Sequence, residues 1–349
     1  MRSAISTAAK KKLSLFAIFT VLPCLFLYSC IIYSGAGVNG GSVLALALMW
    51  VPGLAAIVTK LTVDHTVRGI GWRIHRASLH SFFAAYLLPF GLCLIVYGLA
   101  WLTGLGRRGE SSFPQYITFA TLGVLLSMAA SLGEELGWRG FLLTELRPLF
   151  TGKQVDGIIG ILWFFYHAPL IVFSNYNNGS IPASLLCFFV MVMGLTVLAD
   201  HLCVRAHSFW PAVLLHASHN VFVQSVFDPL TINGPYTQYL TSEFGAGLAV
   251  GYAVIAFLIY RHSKDSYKPG RSHPAKGIQF LPGFGLLYKI PYCFGVAQAF
   301  GVQLFQRFLV AGQRFDAAGI IGRDDQHLTL SSQALRLFDA LVIMLRPQG

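Results

Sequence analysis

The sequence predicts an all-α, polytopic membrane helix bundle of about eight transmembrane helices enclosing a polar catalytic cavity, and three observations carry that expectation. Hydrophobic residues make up 55% of the chain and charged ones only 11%, against roughly a quarter charged in an ordinary soluble domain. The mean hydropathy is +0.63. Apolar runs long enough to cross a bilayer, about 20 residues each, recur near 13–33, 41–61, 81–104, 116–136, 156–175, 182–203, 208–228 and 244–260.

The first run follows Lys10, Lys11 and Lys12, is long, and lacks a small-x-small cleavage site, so it reads as a retained helix instead of a signal peptide. The fourth has the least secure end, because its last turn carries Glu134 and Glu135. The seventh is interrupted by His216 and His219. Positive charge sorts the connections. Arg2 and Lys10 to Lys12 precede the first run; Arg68, Arg73 and Arg76 follow the second; Arg139, Arg147 and Lys153 the fourth; Arg205 the sixth; Arg261, Lys264, Lys268 and Arg271 the last. The opposite connections carry only Arg107 and Arg108. With eight spans all the basic segments share one side, so the expectation is a multi-pass protein of the inner (cytoplasmic) membrane with both termini cytoplasmic and GEELGWRG near that face.

The net charge of +11 is explained by this loop bias, with no aromatic-interleaved basic patch, and a nucleic-acid partner is not expected. The six cysteines are scattered without a CxxC pair and read as small buried hydrophobes. No internal repeat argues for an inverted-repeat transporter. The division expected is a transmembrane helical domain, 1–262, and a C-terminal tail, 263–349, accessory or partly disordered, in which a segment near the end has the spacing of an amphipathic helix lying on the membrane.

Ionisable groups inside spans are costly and usually functional. Here they are Glu134, Glu135, His167, Asp200, His216 and His219, with Asn220 beside them. Glu135 and Arg139 stand four apart with the acid first, the better order for an ion pair within a helix. Glu134 lies about 100° around the helix and points elsewhere. The bland alternative places both glutamates at headgroup level beside nearby arginines. Trp163 and His167 share a helical face with Pro169 just beyond, and His216 and Asn220 share another, while His219 either borders the same cavity or pairs with a loop. A carboxylate, imidazoles and an amide suit water-mediated amide hydrolysis: a base for water, a proton shuttle, and donors for an oxyanion. Zinc is the competing use of the same groups, with Glu134, His167 and His216 as candidate ligands and water in the fourth position, although the chain has no HExxH.

EELGWR at 134–139, WFFYH at 163–167 and HASHN at 216–220 together resemble the motifs of the CAAX prenyl-protease and bacteriocin-processing (CPBP, or Abi) family of intramembrane proteases, over roughly residues 40–260. The resemblance implies an endopeptidase with Glu134 as general base, His167 assisting, His216 and Asn220 holding the oxyanion, and Glu135 and Arg139 supporting the site. It leaves zinc as a candidate cofactor. It implies a membrane-associated peptide or protein as substrate and the lipid bilayer as solvent, and the tail after 262 departs from it. The rival class is a non-catalytic membrane binding or immunity protein acting through a partner; a transporter is a third.

Overall fold

Each of the eight apolar runs is helical in the computed structural model, which describes residues 6–34, 42–74, 78–110 and 113–262. The tail, with its expected amphipathic segment, lies outside the described residues. In chain order come α1 (Thr7–Ser34), α2 (Val43–Asp64) and α3 (Leu79–Leu102). A composite element follows, made of α4 (Phe113–Thr118), a π-helical stretch (Phe119–Gly123), α5 (Val124–Glu135), a second π-helical stretch (Leu136–Leu142) and α6 (Leu143–Leu146). Then come α7 (Gly152–Phe173), α8 (Ile181–Ala206), α9 (Trp210–Asn220), which runs into a third π-helical stretch (Val221–Phe227), and α10 (Ala246–His262).

The architecture is an all-α, polytopic membrane bundle in which, among the described residues, 6 elements are long and apolar enough to cross a membrane: α1, α2, α3, the composite Pro114–Leu146, α7 and α8. The expected count of eight adds α9 with its extension, where polar residues interrupt the apolar run, and α10, which is apolar but only 17 residues long.

The fourth run differs most from expectation. Its helix does not end beside the glutamates but continues to Leu146, so Glu134 lies about 18 Å along the axis from that end. Arg139, counted above as a loop charge, is inside this helix, with a fully buried side chain. The cause is a close crossing with α2. A methyl group on Gly133 would stand 2.6 Å from the Met49 carbonyl oxygen, and one on Gly137 would stand 2.4 Å from Pro52 Cβ. Small residues four apart let two backbones approach this way in a bilayer, and Glu134, Glu135 and Leu136 are the residues between them. Pro52 has no N–H, which leaves the Leu48 carbonyl without its helical donor; the Tyr166 hydroxyl of α7 donates to that oxygen at 2.7 Å. The α2–α5–α7 contact is thus closed by the consequences of one proline and two glycines.

The ends of the bundle are unlike. At one end Lys12 meets Asp64 and Glu145, Ser78 Oγ donates to the Ala206 carbonyl at 3.1 Å, and Tyr260 donates to Asp156 Oδ2 at 2.9 Å. These contacts gather the first turns of α1, the ends of α2 and α6 with residues 65–74 and 147–151 that follow them, Ser78, the start of α7, the α8–α9 corner and the end of α10. Lys10 to Lys12, Arg68, Arg73, Arg147, Lys153, Arg205 and Arg261 all belong to these segments. At the other end β1 (Gly106–Arg108), carrying Arg107 and Arg108, pairs antiparallel with β2 (Thr231–Asn233). Sequence reading gave no sign of this ribbon, since three-residue strands leave no alternation to detect.

Candidate active site

The site is built from α5, α7, α8 and α9, each of which delivers polar side chains into an otherwise apolar interior. Glu134 and Glu135 are both 1% exposed. As their places on the helix require, they point to different partners. Glu134 Oε2 accepts from Trp163 Nε1 at 2.7 Å, and among the described residues no donor reaches its other oxygen. Glu135 accepts from Arg139 Nη1 at 3.0 and 3.1 Å and from His216 Nδ1 at 2.9 Å. Arg139 Nε in turn donates to Asp200 Oδ1 at 3.0 Å, and its guanidinium carbon lies 4.5 Å from the centre of the Trp163 ring. One line of contacts therefore runs from α8 through α5 to α9, and the Trp163 indole joins it to Glu134.

His167 donates from Nδ1 to the Trp163 carbonyl at 3.0 Å. Because a carbonyl can only accept, the neutral ring has its lone pair on Nε2. The same logic puts a proton on Nδ1 of His216, which faces the Glu135 carboxylate. The two imidazoles flank one indole, with ring centres 6.0 and 5.3 Å from Trp163, and both lie within Coulombic reach of Glu134. Asn220, one turn beyond His216, is half-buried and makes no hydrogen bond to a described residue. The structure so brings Glu134, Glu135, Arg139, His167 and His216 into one neighbourhood and places Asn220 on the His216 face of α9. His219 is directed differently: its Nδ1 meets the Tyr252 hydroxyl of α10 at 3.0 Å.

Several neighbours escaped the sequence reading. Tyr28 and Cys24 of α1 lie within Coulombic reach of Glu134, and the Tyr28 hydroxyl donates to the Tyr166 carbonyl. The only signal of this in the sequence is that both face the same side of α1, four residues apart. Asp200 was visible as an intramembrane acid, but its pairing with a residue 61 positions away was not.

Among the described residues no group of three His, Cys, Asp or Glu side chains is placed to hold a metal ion. Of the expected ligands, Glu134 has one oxygen on an indole N–H, and each imidazole has Nδ1 engaged, so one oxygen and two Nε2 atoms are left.

What the arrangement can do chemically is accept a proton from water at Glu134, hold a second proton acceptor at His167 Nε2, and present N–H donors from His216 and Asn220, with Glu134 and His216 buried and His167 and Asn220 half-buried. Residues 116–222 match the family model described as Type II CAAX prenyl endopeptidase Rce1-like, a span that includes all three motifs. "CAAX prenyl protease 2" of Methanococcus maripaludis is 29% identical over 103 residues, which are 28% of this chain and 38% of that protein. The matched segment thus spans well under half the length of that relative.

Proposed function

We propose that the chain, whose residues 116–222 match the Rce1-like CAAX prenyl endopeptidase model and which resembles a CAAX prenyl protease over 103 residues, is a member of the CPBP family and an intramembrane endopeptidase that hydrolyses peptide bonds of membrane-associated substrates. The observation that carries the proposal is Glu134: a carboxylate 1% exposed, held on one oxygen by an indole, with the other oxygen unclaimed and two imidazoles nearby. A buried acid kept only for stability would be expected to have both oxygens satisfied.

In the proposed reaction Glu134 removes a proton from water while the water oxygen attacks the scissile carbonyl carbon. His167, with Nε2 as acceptor, orients that water. The carbonyl oxygen becomes an oxyanion and takes hydrogen bonds from His216 Nε2, protonated at that stage, and from Asn220 Nδ2. Glu135, itself held by Arg139, acts on His216, because a carboxylate on Nδ1 favours the imidazolium that must donate. Collapse of the tetrahedral species breaks the C–N bond, and Glu134 returns its proton to the leaving amine, leaving an acid and an amine as products.

Eight spans, both termini on the cytoplasmic side of the inner membrane, and an accessory tail from 263 onward complete the proposal. The clustering of basic segments at one end of the bundle supports that orientation, and a chain truncated after 262 is expected to retain cleavage.

The test is proteolysis in liposomes on prenylated and unprenylated peptides, comparing wild type with Glu134→Gln and His216→Ala. Glu134→Gln is expected to lose at least about a hundredfold in rate, the usual contribution of a general base, with unchanged melting. Metal content measured on the same preparations assigns zinc if it disappears with His216. Full activity in Glu134→Gln would sink the mechanism. If nothing is cleaved and both variants complement a deletion strain, a non-catalytic binding or immunity role takes its place.

A further inference from the structure

We propose that Glu243 is a positioning residue of this site: through Tyr176 it sets the ring of His167, and through Gln224 it sets the helix end that carries Asn220. The inference rests on the protease reading above and adds to it a wall that lies outside the three motifs.

Glu243 sits in the connection before α10 and is only 6% exposed. Its Oε2 accepts from the Tyr176 hydroxyl at 2.9 Å and its Oε1 from Gln224 Nε2 at 3.1 Å. Each donor leads back to the site. The Tyr176 ring centre is 6.3 Å from that of His167, and Phe188, 5.1 Å from His167, stacks on Phe244 at 5.8 Å. Phe244 closes the set edge-on against Tyr176 at 4.9 Å. His167 is therefore boxed by rings whose placement depends on residues 243 and 244. Gln224 belongs to the π-helical stretch that prolongs α9, four residues after Asn220 and eight after His216. Fixing Gln224 fixes the end of the helix that presents both donors.

The connection is itself held. Asn178 Nδ2 donates to the Gln238 and Phe244 carbonyls at 3.3 and 3.2 Å, and the Tyr97 hydroxyl accepts from Ser242 N at 3.0 Å. Those bonds already join the loops, so a further buried acid is not needed to join them, and burying one is costly. What an ionised carboxylate adds is two acceptors for two donors at once. When it is protonated, one oxygen becomes a donor, and Tyr176 must turn its hydroxyl to accept or lose the contact. Burial pushes the Glu243 carboxyl up to about 7 from the ordinary value of 4.5, with the Asp228 charge adding to the rise, while the Tyr176 and Gln224 hydrogen bonds and His216 pull it back. The groups facing it are Tyr176 from the α7–α8 connection, Gln224 and Asp228 from the α9 extension, and His216 from α9. Tyr97 of α3 reaches it indirectly, through Ser242 and Asp228. The geometry needed by His167 is accordingly complete above about pH 7 and lost as pH falls through it.

The experiment measures kcat and KM on a cleavable peptide from pH 5.5 to 8.5 for wild type, Glu243→Gln, Tyr176→Phe and Glu134→Gln, and records the His167 ring resonances of the same proteins, assigned with His167→Gln. Wild-type kcat should fall on the acid side with a midpoint near 7, and the His167 resonances should move with the same midpoint. Glu243→Gln keeps the shape and one donor–acceptor pair but should lose the component with a midpoint near 7 from both profiles. Tyr176→Phe keeps the ring contact and should lower kcat about five- to tenfold, the worth of one hydrogen bond, with KM unchanged. His167 resonances in Glu243→Gln that superimpose on wild type across the range would overturn the proposal, whether or not a peptide is cleaved. Retained cleavage by Glu134→Gln would instead overturn the protease reading, so the two failures are told apart.

Discussion

Two charged clusters in this molecule use the same chemistry under opposite conditions. At the basic end of the bundle Lys12, Lys60, Asp64 and Glu145 tie α1, α2 and α6 together, with Lys12 Nζ 2.7 Å from Glu145 and 3.4 Å from Asp64. Their side chains are 10–25% exposed, and two ammonium groups balance two carboxylates. In the interior Arg139 is shared by Glu135 and Asp200, with side chains 0–2% exposed and His216 at 7%, and Glu134 adds a third carboxylate to a single guanidinium. Asp156 continues the line, within Coulombic reach of Asp200. The end cluster is a balanced clasp that water could replace. The interior one sets three carboxyl groups around one guanidinium with little access to water.

Breaking each cluster should show the difference. Arg139→Met leaves Glu135 and Asp200 buried without their cation, and loss of one member of a buried pair typically removes about 3–5 kcal/mol. Unfolding by denaturing detergent should report most of that, and a change under about 1 kcal/mol would mean that the interior ions relax as easily as surface ones. Gly137→Ala tests whether the crossing that positions the glutamates tolerates volume. With Pro52 Cβ 2.4 Å away, overpacking should cost about 1–3 kcal/mol and lower activity with it, and a neutral result would show that α2 can give way. Tyr166→Phe deprives the Leu48 carbonyl of its donor and should cost about 1 kcal/mol or somewhat more, measured in the same way. Lys60→Met, in the end cluster, should change stability by less than about 1 kcal/mol and leave cleavage untouched; a larger loss would move that cluster into the same class as the interior.

The parts of the site that were legible in the sequence are those fixed within one helix. Glu135 and Arg139 face each other because four residues is close to one turn, and Glu134 differs from Glu135 in partner because adjacent residues diverge around the axis. The same reasoning put Trp163 with His167 and His216 with Asn220. It did not reveal that His216 bonds Glu135, that Asp200 takes the other side of Arg139, or that Tyr28, Tyr176 and Glu243 surround the cavity. Those contacts join residues 61 to 138 positions apart, and helical period says nothing about which face of one helix meets which face of another. The end of the fourth run was misjudged for a related reason. Two glutamates and an arginine look like a helix leaving the membrane when read alone, and it is their pairing with Asp200 of α8 and His216 of α9, together with the close crossing of α2, that lets the helix continue past them.

By itself, the sequence determined that this chain lives in a bilayer, that it forms helices at eight places, and that its few intramembrane ionisable groups fall into three short strings with the spacing of a hydrolytic site. Those are consequences of local composition, of apolar length and of the 3.6-residue turn. Tertiary structure alone decided how the strings are wired together. Gly133 and Gly137 bring α5 onto α2, the Leu48 carbonyl freed by Pro52 brings in α7, and the loop before α10 returns Glu243 to the cavity. A buried charge persists only where a partner from elsewhere in the chain meets it, and that meeting is a property of packing.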